Sequence, residues 1–139
     1  MGPLKNKISP KYGLKIEDVI TKFGKLDVDP TPVYMRLNYG DIIKSLKVIH
    51  TPGHTPGHFS LYLEDQRTIS GADLLWNMEE SGLVIPPPHF TLDQVAAAVS
   101  VRRVSRLNFD KMLLAHQDTP LLKNAQKAVE EAANYMIKG

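Results

Sequence analysis

The chain has 139 residues, no cysteine, and 17 Lys and Arg against 15 Asp and Glu, for a formal net charge of +2. That length fits one domain, 1–139, large enough to bury a core. The charges are interspersed and leave no basic face for nucleic acid, while the missing thiols exclude disulfides and Cys-ligated zinc and fit a reducing, cytoplasmic setting.

Met1 to Gly13 is polar and broken by Pro3, Pro10 and Gly13, which reads as a flexible arm, 1–13. It holds no apolar core of the kind a signal peptide needs, and no apolar run in the chain reaches the ~20 residues that span a bilayer, so no membrane partner is expected. Ile16, Val19, Ile20 and Phe23 recur at helical spacing ahead of Gly24 and predict a short helix. After the breakers of "DVDPTP", the segments "VYMRL" and, past the turn "NYGD", "IIKSLKVIH" read as strands. "FSLYLED" alternates and ends in a turn at Glu64–Arg67, and "TISGAD" is a short strand running into Asp73. "LLWNMEESGLVIPPPHF" reads as irregular.

"TLDQVAAAVSVRRVSRL" predicts a helix with Thr91 and Gln94 in capping-box positions, its apolar side made of Leu92, Val95, Val99, Val101 and Leu107. "KMLLA" is a buried strand stopping at "HQDTP". Pro120 opens a last helix after a Thr119 cap, closed by Gly139. Strands, helix, strand, helix make an α/β domain of the α+β type, with helices on one face of a mixed sheet.

Val48 to Leu63, "VIHTPGHTPGHFSLYL", places His50, His54 and His58 four residues apart. On a helix they would share a face, but Pro52, Gly53, Pro56 and Gly57 forbid one, since a proline inside a helix costs ~3 kcal/mol. The segment is a loop leaving a strand, and its histidines must be judged singly. His50 and His89 read as surface or hydrogen-bonding groups. Trp76 and Pro86 to Pro88 read either as core or lid, or as a pocket lining.

"HTPGHTPGHFSLYL", "SGAD" and "LLAHQDTP" together resemble the later motifs of the metallo-β-lactamase-fold hydrolases, the group that includes glyoxalase II, over 38–139. The resemblance implies the C-terminal half of an αββα sandwich. It implies metal-ligand positions at His54, Asp73 and His116, with Asp73 bridging two metals, His54 serving one and His116 the other. His58 falls at a position that is not a ligand there and is expected to hydrogen-bond within the loop. Zinc, or iron or manganese, is the implied cofactor, and an ester or thioester the implied small-molecule substrate. The family's upstream H-x-H-x-D-H motif is absent: no two of the five histidines are separated by one residue. The expectation is therefore a truncated hydrolase with little or no activity alone. The alternative is a non-catalytic oligomeric binding or regulatory module. Without the other half of the sandwich, Val33, Met35, Leu37, Leu46, Val48, Leu61 and Leu63 become candidates for a bare sheet face, and a homodimer through that face is expected.

Overall fold

The structure, a computed structural model, describes residues 32, 33, 35–121 and 123–138. The arm at 1–13 and the helix expected before Gly24 lie outside the described residues. Chain contacts separate two units, Met1–Arg36 and Leu37–Gly139, and the description below concerns the second.

A five-stranded sheet runs in the order β1 (Ile42–Ile43), β2 (Leu46–His50), β3 (Phe59–Leu63), β4 (Thr68–Ala72), β7 (Lys111–Leu114). The first three junctions are antiparallel and β4–β7 is parallel. The β4–β7 crossover contains the hairpin β5 (Trp76–Met78) and β6 (Gly82–Val84), a 3-10 turn at Pro88–Phe90, and helix α1 (Gln94–Ser105). Helix α2 (Ala125–Lys138) follows β7. The expected mixed sheet with helices on one face is what forms.

Alternation in the strands decides which face is covered. Ile49, Tyr62, Ile69, Met112 and Leu114 point to the helices and join Val101 and Val104 of α1 and Ala125, Val129 and Ala133 of α2 in one core. The other face carries Phe59 and Leu113, 43% and 45% exposed, with half-buried Leu46, Leu61 and Leu63. Val48 lies on that side but is buried.

Several local expectations are corrected. "VYMRL" is not a strand among its described residues, and Val33 and Met35 are exposed. β2 takes its outer partner from within "IIKSLKVIH", which folds back at Lys44–Ser45 with Lys44 at φ 55°. "LLWNMEESGLVI" is a hairpin, turned at Glu79–Ser81 and re-entering the strand at Gly82 with φ 66°. The cap of α1 is Asp93, whose carboxylate accepts from the Ala96 amide at 2.9 Å, whereas the Thr91 hydroxyl donates to the Pro86 carbonyl at 2.7 Å. The buried side of α1 is Ala97, Ser100, Val101 and Val104, and Leu92 and Val95 are 74% and 77% exposed. α2 starts at Ala125, five residues later than Pro120, because the Leu121 carbonyl first accepts from the Met112 amide at 2.8 Å and closes the edge of β7. No described helix is long and apolar enough to cross a membrane.

Candidate metal centre

β2, β4 and β7 run parallel to one another, since two antiparallel steps separate β2 from β4. Their C-terminal ends therefore share one edge of the sheet. His54 follows β2, Asp73 follows β4 and His116 follows β7, so three segments distant in sequence deliver their tips to one place.

The loop between β2 and β3 is built tightly. The Thr51 amide donates to the His58 carbonyl at 3.0 Å, and His50 Nε2 donates to the Pro56 carbonyl at 3.0 Å. Gly53, at φ 147°, lies so close to α1 that a Cβ there would sit 2.4 Å from the Ala97 Cα. The Asp93 amide donates to the Gly53 carbonyl at 3.0 Å and the Ser100 hydroxyl to the Pro52 carbonyl at 2.7 Å. Two prolines and two glycines make this path affordable, and the first turn of α1 holds it.

At the other loop, the ladder register shifts between Ser70 and Ala72, and Ala72 takes a left-handed φ of 47°. An L-residue there costs about 1–2 kcal/mol. Hydrogen bonds from the Ala115 amide to the Ala72 carbonyl and from the Leu74 amide to the Gly71 carbonyl, both 2.9 Å, hold the bend that lifts Asp73 off the sheet.

His54 Nε2 stands 3.5 Å from Asp73 Oδ2, and His116 Nε2 stands 3.4 Å from Asp73 Oδ1. His54 Nδ1 is bonded to the Phe90 carbonyl, which can only accept, so Nδ1 carries the proton. In the neutral ring the Nε2 lone pair then faces a carboxylate oxygen. Nε2 and that oxygen are then both able to coordinate a cation. The donor set suits a divalent ion, imidazole nitrogen and carboxylate oxygen being common ligands of zinc and iron. Among the described residues, no three His, Cys, Asp or Glu side chains converge as a cage for a single ion. The arrangement is instead a line, with one carboxylate between two imidazoles. His116 is the open end, its side chain 57% exposed against 26% for His54.

His58 is nearly buried, its ring centroid 5.9 Å from that of His54, yet neither of its nitrogens is free. Nδ1 donates to the Thr51 carbonyl at 2.9 Å, and Nε2 accepts from the Asp73 amide at 3.1 Å. Burial pushes its pKa below the ordinary 6.5, with nearby His54 acting in the same direction and the Thr51 carbonyl and Asp73 in the opposite one. Both observations describe a neutral ring. His58 thus bonds Thr51 within its loop through one nitrogen and Asp73 beyond it through the other. His50 and His89 are exposed and stand outside the line.

Trp76 is the contributor that sequence reading left undecided. Its buried indole donates Nε1–H to Asp73 Oδ1 at 3.3 Å and lies 4.9 Å from the His116 ring and 5.4 Å from Phe90. Its place three residues after Asp73 was the available signal. The Phe90 carbonyl had none, being a backbone atom delivered by tertiary packing.

The model of the Metallo-beta-lactamase superfamily matches residues 3–116. The chain is 32% identical over 96 residues to the probable metallo-hydrolase YflN of Bacillus subtilis, a match covering 62% of this chain and 36% of that protein. Among solved structures it is similar to the metallo-beta-lactamase family protein TTHA1429 from Thermus thermophilus, with TM-score 0.59, 23% identity, and 78% of this chain and 36% of that one covered. It is also similar to TTHA1623 in a di-iron-bound form, with TM-score 0.50, 26% identity, and coverage of 66% and 45%. These matches take in about a third to under half of each relative's length.

Proposed function

The chain belongs to the metallo-beta-lactamase superfamily, and from that premise we propose that it carries the bridging part of a dinuclear hydrolase centre acting on a small ester or thioester. Asp73 would offer one oxygen to each of two divalent ions, with His54 on one side and His116 on the other. Zinc, iron or manganese suits these donors. One observation carries this reading: two imidazole Nε2 atoms meet the two separate oxygens of one carboxylate at 3.5 and 3.4 Å. The di-iron form of a similar solved protein supports two ions over one.

When bound, such an ion pair lowers the pKa of water and polarises the bond to be cleaved. The chain's own residues set the stage. The Phe90 carbonyl fixes the ring orientation of His54, and Trp76 excludes water from one side of Asp73 and His116. A catalytic zinc commonly takes three protein ligands and an open position. His54, Asp73 and His116 supply two per ion at most, and the rings of His50 and His58 are committed to backbone partners. Hydrolysis by the chain alone is therefore expected to be weak. The same shortage of converging donors among the described residues favours a second reading, a non-catalytic oligomeric module built on this fold.

Metal analysis of protein purified without added zinc, followed by a thioester and phosphodiester panel with and without zinc, separates the two. Metal uptake and zinc-dependent turnover, both lost in His54→Ala and Asp73→Ala, support the hydrolase. Uptake without turnover leaves the module, and no uptake at all sinks the dinuclear reading.

A further inference from the structure

We propose that His58 is a positioning residue for Asp73, an imidazole strut between the β2–β3 loop and the bend after β4 that sets where the bridging carboxylate stands. The proposal deepens the dinuclear reading and rests on it for its metal-binding consequence, but the strut itself is a matter of geometry in the metal-free chain.

Asp73 is the first residue past the end of β4, and its amide bonds to a side chain and not to a neighbouring strand. A half-buried amide without an acceptor is costly, and His58 Nε2 is the acceptor, at 3.1 Å. The other end of the ring is anchored: Nδ1 donates to the Thr51 carbonyl, with the Thr51 hydroxyl 2.9 Å from the same nitrogen and 3.0 Å from the Ser60 hydroxyl. Thr51 and Ser60 are both about 1% exposed, so the anchor is rigid. The strut thus begins in the loop that carries His54 and ends on the backbone of Asp73. It couples the two residues whose facing atoms are 3.5 Å apart. The carboxylate end of Asp73 is steadied separately by Trp76.

The two contacts can be separated, and the one to Asp73 is what places the carboxylate. One ring atom accepts from Asp73 and a second, nearer the backbone, donates to Thr51. Glutamine places an amide oxygen where Nε2 stands, and asparagine places an amide nitrogen where Nδ1 stands. His58→Gln therefore keeps the acceptor for Asp73 and loses the tie to Thr51, whereas His58→Asn does the reverse. Both are neutral amides, so a role in loop packing alone would affect them alike.

The experiment compares wild type, His58→Gln and His58→Asn by zinc titration against a chromophoric chelator and by emission of Trp76, the only tryptophan, in metal-free protein. The strut predicts that His58→Asn weakens zinc binding about 10–100-fold, as loss of an outer-shell partner does, and shifts the Trp76 emission, while His58→Gln stays close to wild type in both. Equal change in the two variants, or none in either, overturns the proposal. Should wild type bind no zinc, the dinuclear reading has failed, and the metal-free emission alone decides the strut: a shift confined to His58→Asn supports it, and any other pattern refutes it.

Discussion

A carboxylate between two imidazoles is useful only if its oxygens hold still, and Asp73 is held through its amide by His58 and through Oδ1 by Trp76. The indole is the more testable of the two by stability. Trp76→Phe keeps an aromatic ring against His116 and removes the N–H, so it should cost about 1 kcal/mol for the lost hydrogen bond, plus a packing term for the smaller ring. Urea unfolding measures that loss, and zinc titration should show weaker binding in the same variant. Unchanged stability and unchanged zinc binding would show that the 3.3 Å contact does nothing. At this scale the sequence was partly legible. That His54, Asp73 and His116 come together was readable because short motifs at strand ends carry them. The Phe90 and Thr51 carbonyls were not, since any residue type supplies a backbone carbonyl and only the folded path decides where it points.

Two elements hold the centre in place, α1 and the parallel pair β4–β7. α1 presses its first turn against the histidine loop, and Gly53 is the contact that allows it. Gly53→Ala forces a Cβ into the Ala97 backbone and strains a positive φ as well, so it should cost at least about 1–3 kcal/mol by overpacking, read as a lowered urea midpoint. Asp93→Ala removes the cap of the same helix and should cost about 1 kcal/mol. The close fit also explains why the apolar side of α1 was misjudged from sequence. Small residues, Ala97 and Ser100, face the loop because there is room for nothing larger, and the bulkier Leu92 and Val95 are left outside. At the start of β7, Arg67 grips Asp110 through two bonds of 2.8 and 2.9 Å. The guanidinium holds the Asp110 carboxyl below its ordinary 3.8. A carboxylate lowered in the folded state stabilises fully above the unfolded pKa and loses that contribution as pH falls through the folded one. The melting temperatures of wild type and Asp110→Asn should therefore differ by a constant, small amount near neutrality, and the gap should close below about pH 4. A gap that persists into stronger acid would show that the ion pair is not its source.

Among the described residues, one sheet face lies under helices and the other carries exposed and half-buried apolar side chains. Phe59, Leu61 and Leu63 of β3 and Leu113 of β7 lie on this second face, with Ser70 of β4 between Leu61 and Leu113. The relatives it matches are all longer, the match taking in 36–45% of each, so they have further chain available to cover such a face. In a purified sample a second copy of this chain is available as cover. A two-fold pairing would set the same patch against itself, and a stable interface needs roughly 800 Å² from each partner. A flat apolar sheet face meets that demand more readily than any polar surface. It would also bring two copies of the His54–Asp73–His116 line into one particle, which supplies more donors than one chain offers. We therefore predict a dimer of twice 15.5 kDa by light scattering at micromolar concentration. Phe59→Lys and Leu113→Glu place charges on the open face and leave the helix-covered core untouched, so each should yield monomers with wild-type circular dichroism. A wild-type monomer under those conditions would mean that the face is tolerated in water, and would overturn the pairing.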